Sequence, residues 1–344
     1  MLNKLKMQAP KNASVFKTIE MHTGGEPLRI IVDGIPEIKG KTILEKRRFF
    51  SKNFDYIRKG LMWEPRGHAD MYGAVLTEPE TPDADLGVIF LHNEGYSTMC
   101  GHAIIAITKL VLEAGIVKKK GELQEVKIDA PPGRITSFGR VEKGVVKEVS
   151  FRNVPSFLYL ENEAVKVPGI GRVNFDAAFG GAFYAFCNAS ELGLNMDPTD
   201  YSKLIDYGRR IKKVISGNFN VRHSREPDLS FLYGVIFTGD PYNYKNHSRN
   251  VCIFADGEMD RSATGTGLSA RAALHYSKGD LKLNESITVE SILGSTMDVK
   301  VVEETKIGVR KAVIPEVTGK AWYTGQNEFW FDPEDPFKDG FIFR

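Results

Sequence analysis

The chain has 344 residues, of which 42% are hydrophobic and 26% charged, and its 46 basic and 44 acidic side chains give a formal net charge of +2. This balance argues against nucleic-acid-binding and membrane-surface proteins, which concentrate basic charge. The length exceeds the usual size of a single domain and predicts two domains.

The first fourteen residues contain three lysines and no acidic residue. They lack the apolar stretch of a signal peptide, so we expect a disordered leader rather than a targeting signal. No apolar run approaches the roughly 18 to 20 residues of a transmembrane helix. Cys100, Cys187 and Cys252 form no CxxC pair, and the last two lie in apolar strand-like runs that indicate core positions. We therefore expect a cytoplasmic protein without disulfides.

A pattern of glycine pair, strands and helix occurs twice along the chain. Glycine pairs at 24–25 and 180–181 each precede an apolar run. Cys100 lies 75 residues after the first pair, and Thr264 lies 83 residues after the second. Each is followed by a glycine and a helix-like segment. A period of about 160 residues is too long for a solenoid repeat and indicates a duplicated domain.

The first helix-like segment, residues 101–114, is apolar almost all round until Lys109, which is the pattern of a helix buried in its domain. Gly115 suits the left-handed position just after a helix. Cys100 stands at the start, where unpaired N–H groups and the helix dipole favour an anion. We expect this position to lower the pKa of the thiol and make it a general base. The alternative is that Cys100 is a small buried hydrophobe.

The second segment begins with Thr264, Gly265 and Thr266. Glycines at a helix start allow backbone N–H groups to approach an anion closely. Asp260 lies four residues before Thr264 and is placed to receive an ammonium group. The alternative is an ordinary helix N-cap, with the side chain of Thr264 or Thr266 accepting from backbone N–H groups.

Two further motifs suggest a nicotinamide cofactor and a metal, but neither has support elsewhere in the sequence. Residues 265–270 match the dinucleotide fingerprint GxGxxA, but they do not come directly off a predicted strand, which argues against a nicotinamide cofactor. His92, Cys100 and His102 suggest a metal, but no second ligand cluster of familiar spacing supports one.

The predicted strands flank both helices. We expect an α/β (α+β) protein of two pseudo-symmetric domains, each a curved mixed sheet around one buried helix, with a cleft between them. An aromatic, turn-rich tail from Glu328 is expected to return to the first half. The predicted N-terminal domain is 1–155 plus 325–344 and carries Cys100; the predicted C-terminal domain is 156–324 and carries Thr264.

Four segments, 22–27, 66–73, 93–102 and 260–267, resemble the proline racemase family. The similarity extends over nearly the whole chain, and Met-Cys-Gly-His at 99–102 with Asp-Arg-Ser at 260–262 is highly specific. The resemblance implies the family's fold, shared with diaminopimelate epimerase, with the site between two domains. It also implies that neither pyridoxal phosphate nor a metal is needed.

The resemblance also assigns roles to individual residues. Family racemases and epimerases use two cysteines on opposite faces of the substrate's α-carbon; here Cys100 matches the first and Thr264 replaces the second. Cys100 is then the proton acceptor and, with Thr264, forms the catalytic pair. Ala263 stands where the family commonly has proline, a change expected to affect the turn alone. Implied substrate contacts are Gly101 and His102, the N–H groups of Gly265 and Thr266 for a carboxylate, Asp260 for the ring amine, and Tyr72 and Phe254 as walls.

Cysteine with threonine is the pattern of the family's trans-3-hydroxy-L-proline dehydratases. The resemblance therefore implies dehydration of that imino acid to Δ1-pyrroline-2-carboxylate by proton abstraction at C2. Two groups are candidates for the acid that helps the hydroxyl leave: the newly formed Cys100 thiol and protonated His102. The alternatives are a proline racemase or hydroxyproline 2-epimerase, and a non-catalytic amino-acid-binding module. We expect a small imino acid as the ligand, no nucleic-acid or membrane partner, and a homodimer as one option for assembly.

Overall fold

The computed structural model describes residues 7–343. The first six residues of the expected leader and the final residue of the expected N-terminal domain lie outside this range. Residues 7–13 contain no helix or strand.

The first part of the chain contains eight strands and three helices. They are β1 (Ser14–Thr23), β2 (Glu26–Asp33), α1 (Ile43–Asn53), α2 (Asp55–Met62), β3 (Tyr72–Thr77), β4 (Leu86–His92), β5 (Tyr96–Ser97), α3 (Gly101–Glu113), β6 (Leu123–Ala130), β7 (Gly133–Glu142) and β8 (Val145–Arg152).

The second part contains ten strands and two helices. They are β9 (Phe157–Val167), β10 (Gly171–Phe179), β11 (Phe183–Asn188), α4 (Tyr201–Asn218), β12 (Leu232–Gly239), β13 (Ser248–Phe254), β14 (Glu258–Met259), α5 (Gly265–Lys278), β15 (Ser286–Glu290), β16 (Thr296–Ile307), β17 (Arg310–Gly319) and β18 (Ala321–Phe331).

Strand pairing repeats between the two parts. The first set runs β18-β1-β2-β3-β4-β6-β7-β8, and the second runs β9-β10-β11-β12-β13-β15-β16-β17. In each set the third and fourth strands are parallel, as are the fifth and sixth. Strands β8 and β17 pair and join the sets. The mixed α/β fold and the duplication expected from the sequence are confirmed.

The glycine pairs form equivalent turns. Gly25 and Gly181 both have φ of +96°, a left-handed conformation that glycine adopts without strain. Each turn joins the second and third strands of its set, β1 to β2 and β10 to β11. The spacing of these pairs from Cys100 and Thr264 therefore reflects one topology used twice.

Helices α3 and α5 lie inside the sheet layers. Every residue of α3 from Gly101 to Val111 is buried, and so is every residue of α5 from Gly265 to Leu274. Gly115, at φ +69°, follows α3 as expected. Helices α1, α2 and α4 were not anticipated individually. They supply the crossovers that the parallel pairs β2–β3 and β11–β12 require.

The C-terminal tail returns to the first half, as expected. Strand β18 pairs antiparallel with β1 along its length, and Phe331 packs on Phe16 with ring centroids 4.7 Å apart. We propose the domain division 1–155 plus 325–344 and 156–324. The pairing supports the return of the tail, because β18 completes the first strand set as β9 completes the second, and it favours a boundary at the start of β18, Ala321, rather than at 325. No helix among residues 7–343 is both long and apolar enough to cross a membrane.

Candidate active site

The first turns of α3 and α5 meet at two glycines. A Cβ atom placed on Gly101 would lie 2.7 Å from the Gly265 Cα, which is closer than real side chains approach backbone. The Gly101 N–H donates to the Thr266 hydroxyl at 3.0 Å. Thr266 therefore caps the opposite helix rather than its own, and the N-cap interpretation of this threonine is wrong.

A small cavity lies at this meeting point. All nine predicted site residues line it: Tyr72, Cys100, Gly101, His102, Phe254, Asp260, Thr264, Gly265 and Thr266. The structure adds four residues that the sequence analysis did not assign to the site: Met99, Tyr184, Tyr233 and Cys252. A larger groove lined by Phe157, Tyr276 and Arg310 lies elsewhere and contains none of the nine.

Cys252 has a position that the sequence analysis did not anticipate. It is fully buried, as expected for a core residue, but its side chain also lines the cavity. Cys252 and Phe254 are two residues apart on β13 and therefore face the same side. That alternation is the signal that could have placed Cys252 beside Phe254. Cys187 is a core residue as expected.

Cys100 occupies the N-cap position of α3, and its Sγ accepts from the Ala103 N–H at 3.4 Å. The residue is only 5% exposed. Burial raises the pKa of the thiol well above its ordinary value, opposed by the Ala103 N–H and the Tyr72 side chain. The expectation of a lowered pKa is wrong: the Ala103 N–H at the helix start does lower the pKa of the thiol, but loss of solvation on burial is the larger effect.

His102 lies directly beside this thiol. Its Nδ1 is 3.1 Å from Cys100 Sγ, and its Nε2 is 3.7 Å away. Burial lowers the pKa of His102 to about 3, opposed by a hydrogen bond to the Pro27 backbone. Proline has no N–H, so its carbonyl must accept from the imidazole. The resting imidazole is therefore neutral.

Thr264 precedes α5 in a strained conformation. Its φ of +64° is in the left-handed region, which is unusual for a β-branched residue and is found most often at functional sites. The Thr264 N–H donates to the Ser262 hydroxyl at 3.1 Å. The Thr264 Oγ1 is buried without a hydrogen-bond partner of normal geometry among the described residues. Thr264 therefore does not cap its own helix through its side chain; its hydroxyl lies beside Asp260 and Cys252 and lowers the pKa of both.

Backbone N–H groups of both helices remain for an anion. The first turn-to-turn hydrogen bond of α5 runs from Leu268 N–H to the Thr264 carbonyl, so the N–H groups of residues 265–267 precede it. In α3, the N–H groups of Gly101 and Ala103 have side-chain acceptors. Two helix N-termini pointing at one cavity form a suitable site for a carboxylate.

Two buried acidic side chains belong to this region: Asp260 lines the cavity, and Glu26 lies close enough to Asp260 for their charges to interact. Asp260 is 6% exposed, and its Oδ1 accepts from the Ser262 N–H at 2.7 Å. Burial raises the pKa of Asp260. Glu26 Oε2 accepts from the Arg261 N–H at 2.7 Å, and burial, followed by the nearby charge of Asp260, raises the pKa of Glu26 well above its ordinary value. A ligand ammonium beside Asp260 would favour its ionised form.

Aromatic rings close the remaining sides. Tyr233 stacks on Phe254 with centroids 5.4 Å apart, and Tyr72 meets His102 edge-on at 4.8 Å. The Tyr72 hydroxyl donates to Ser97, whose hydroxyl is 2.7 Å from that of Tyr233. Burial raises the pKa values of both tyrosines, so both rings remain neutral walls.

His92, weighed as a metal ligand with Cys100 and His102, does not line the cavity. Its Nδ1 lies 3.5 Å from Glu258. Within residues 7–343, no group of three or more His, Cys, Asp and Glu side chains is arranged to hold a metal ion.

The chain is similar to known proteins over nearly its whole length. The family model described as proline racemase matches residues 18–342. A trans-3-hydroxy-L-proline dehydratase of Colwellia psychrerythraea is 53% identical over 96% of this chain and 93% of its own length. A proline racemase of Clostridioides difficile is 42% identical over 96% and 98%, respectively. The crystal structure of a hydroxyproline epimerase from Agrobacterium vitis with bound trans-4-hydroxy-L-proline has a TM-score of 0.91 and 27% identity, covering 98% of this chain and 97% of that one.

Proposed function

Because this chain belongs to the proline racemase family, we propose that it is an enzyme that dehydrates trans-3-hydroxy-L-proline to Δ1-pyrroline-2-carboxylate. The observation that carries the proposal is the cavity with one thiol, Cys100, beside a helix start and a threonine, Thr264, at the matching start of the duplicated half. The 53% identity to a dehydratase of this specificity supports the same conclusion.

The stereochemistry of the substrate explains why one thiol is enough. In trans-3-hydroxy-L-proline the C3 hydroxyl and the C2 carboxylate lie on opposite ring faces. The C2 hydrogen therefore lies on the same face as the hydroxyl, and loss of water is a syn elimination. A single base, Cys100, removes the proton, and nothing has to be returned to C2 from the other face.

The cavity provides partners for the other groups of this substrate. The N–H groups of Gly265, Thr266 and His102 would receive the carboxylate, with Gly101 in contact beside them. The carboxylate of Asp260 would receive the ring ammonium. Hydrogen bonds aimed at the carboxylate stabilise the negative charge that spreads onto it as the C2 proton leaves. Tyr72 and Phe254 would enclose the ring.

This cavity lacks the pair of proton-transferring side chains that racemisation requires. It requires an acid and a base on opposite faces, and a threonine hydroxyl without an activating base is a poor proton donor to a carbanion and is not ionised near neutral pH. Whole-chain identity to a racemase reaches 42%, so overall similarity separates the two activities less clearly than Thr264 does. Thr264 is assigned to substrate contact and to shaping the far wall.

Exchange in D2O distinguishes the three candidate functions. We expect trans-3-hydroxy-L-proline to be consumed while L-proline and trans-4-hydroxy-L-proline gain no C2 deuterium and are not inverted. Efficient inversion of either, with 3-hydroxyproline unchanged, would identify an isomerase instead. Binding of these imino acids without any turnover would identify a binding module.

Gly101→Ala should greatly reduce activity, because the new methyl group would meet the backbone of Gly265 at 2.7 Å. The two helix starts would have to separate, and misplacement by about 1 Å can cost about 100-fold in rate. We expect a loss of that order in kcat/KM for dehydration, measured by steady-state kinetics. Gly217→Ala adds a methyl group where nothing lies within 4 Å and serves as the matched control. Equal activity of the two variants would contradict the close approach.

The cytoplasmic location and the homodimer remain predictions from the sequence. Size-exclusion chromatography with light scattering measures the second directly.

A further inference from the structure

We propose that His102 carries the proton in this dehydration: its Nδ1 takes the Cys100 thiol proton and delivers it to the departing C3 hydroxyl. The inference rests on the proposed function. It gives His102 a catalytic role beyond the substrate contact implied by the resemblance.

The two side chains lie close together in a buried site. His102 Nδ1 is 3.1 Å and Nε2 is 3.7 Å from Cys100 Sγ, and both residues are about 95% buried. The sulfur is nearly as close to one nitrogen as to the other, so a rotation of the imidazole would align Nδ1 for transfer. The imidazole also donates to the Pro27 carbonyl, and the proposal places that hydrogen bond on Nε2, because transfer from sulfur requires Nδ1 to be the free acceptor.

The resting protonation states also call for such a transfer. Burial keeps the thiol protonated and the imidazole neutral, whereas the elimination needs a thiolate base and an acid for the leaving group. Moving one proton between the two atoms creates both at once. The charges form as a pair, which is easier in a buried site than forming either alone.

The proton balance closes without any external reactant. The thiol proton moves to Nδ1, and the thiolate then removes the C2 hydrogen as a proton. The electrons of the C2–H bond form the C2=C3 double bond while the C3–O bond breaks. The imidazolium protonates the departing oxygen, which leaves as water. Cys100 ends as a thiol and His102 as a neutral imidazole, and the enamine product tautomerises to the cyclic imine.

The same-face stereochemistry fits two neighbouring atoms on the protein. The C2 hydrogen and the C3 oxygen project side by side from one ring face. Sγ and Nδ1 are also side by side, on the first turn of α3. A competing acid is the Tyr72 hydroxyl, which donates to Ser97 but also interacts with the Cys100 thiol, so a Tyr72→Phe variant belongs in the test.

The pH dependence of the rate tests this proposal. Asp260, Glu26 and Tyr72 are the other titratable groups around this pair, and the substrate ammonium should keep Asp260 ionised in the bound complex. In the wild type the reactive ion pair contains the same number of protons as the resting pair, so kcat, which reports the bound complex, should be nearly flat between about pH 6 and pH 8. In His102→Gln the thiolate must form by loss of its proton to solvent. We expect dehydration to fall by about 100-fold to 10,000-fold, and the remaining rate to rise about tenfold per pH unit below the thiol pKa.

Replacing the C3 hydroxyl by chloride separates formation of the thiolate from protonation of the leaving group. Chloride needs no protonation to depart, so trans-3-chloro-L-proline tests thiolate formation alone. His102→Gln should recover elimination of chloride at high pH while elimination of water stays slow. His92→Gln removes another buried histidine that packs near Tyr72 without lining the cavity, and it should keep the wild-type shape of the pH profile.

Three results would overturn the proposal. The first is His102→Gln dehydrating within about threefold of wild type with the same pH profile. The second is a wild-type kcat that rises tenfold per pH unit across this range, a measurement that does not depend on the variant folding. The third is loss of the wild-type profile in Tyr72→Phe but not in His102→Gln. Absence of imine formation by the wild type would instead reject the proposed function itself.

Discussion

Cys100→Ser should lower kcat for dehydration by at least about 1,000-fold, because a serine hydroxyl is not ionised near neutral pH and cannot replace the thiolate as base. Serine is a good helix N-cap, so it should still accept from the Ala103 N–H and keep α3 intact. We expect binding of pyrrole-2-carboxylate, a planar analogue of the reacting ring, to change little. Steady-state kinetics and calorimetric binding measure the two effects separately.

Cys187→Ala is the matched control for Cys100→Ser. It removes a buried thiol that does not line the cavity, so turnover of the folded variant should stay close to that of the wild type. Retention of a tenth or more of the wild-type activity by Cys100→Ser would show that the base is another group.

Labelling experiments on this site must account for the second thiol in the cavity. Iodoacetamide should inactivate the enzyme by alkylating Cys100, and substrate should protect it. Cys252 lines the same cavity, so loss of activity alone does not identify the labelled residue. Peptide mass spectrometry assigns the label, and inactivation that follows alkylation of Cys252 with Cys100 unmodified would contradict the assignment of the base.

Thr264→Cys should add an activity that the wild type lacks. A thiol at this position faces the cavity from the second helix start, opposite Cys100, so a proton could then be exchanged on the other face of C2. We expect C2 deuterium exchange and inversion of L-proline or 4-hydroxyproline at least about 100-fold above the wild-type background. The substitution should be mild, because the Thr264 hydroxyl makes no hydrogen bond of normal geometry, and only its looser interactions with Asp260 and Cys252 change. NMR in D2O and chiral chromatography measure the two outcomes.

Thr266→Cys provides the comparison for Thr264→Cys. It places a thiol two residues further along α5, where the side chain accepts from the Gly101 N–H, and should give no exchange. No gain by the correctly folded Thr264→Cys variant, or equal gain by both, would contradict the two-faced geometry.

The sequence predicted the duplication because its signals are local and repeated. Glycine turns, apolar helices and the residues before them are each specified within a few positions, as Gly25, Gly181, Cys100 and Thr264 illustrate. Tyr184 and Tyr233 were missed because they enter the cavity through the pairing of β11 with β12, which no local pattern reveals.

The pKa of Cys100 was misjudged because the sequence does not show how completely the site closes. A helix terminus is worth about 0.3 to 2 kcal/mol to a nearby charge, whereas full burial shifts a pKa by up to about 3 to 5 units. With Cys100 only 5% exposed, burial is the larger effect. A bound substrate and the neighbouring His102 then have to stabilise the Cys100 thiolate, because the helix start alone does not.

The hydrogen-bond donor to Thr266 could not be predicted from the sequence either, because it depends on tertiary structure. A threonine near a helix start normally accepts from its own helix. Here the approach of Gly101 and Gly265 brings another helix's N–H within 3.0 Å of the Thr266 hydroxyl. The contact between Glu26 and the Arg261 N–H, 235 residues apart, was equally inaccessible from spacing.

The most direct test is incubation of the purified protein with trans-3-hydroxy-L-proline and, separately, its cis isomer, followed by an assay for the cyclic imine. We expect stoichiometric conversion of the trans isomer to Δ1-pyrroline-2-carboxylate. We expect no comparable reaction of the cis isomer, whose C2 hydrogen and hydroxyl lie on opposite faces. Recovery of the trans isomer unchanged or merely inverted at C2, without imine, would contradict the dehydratase function.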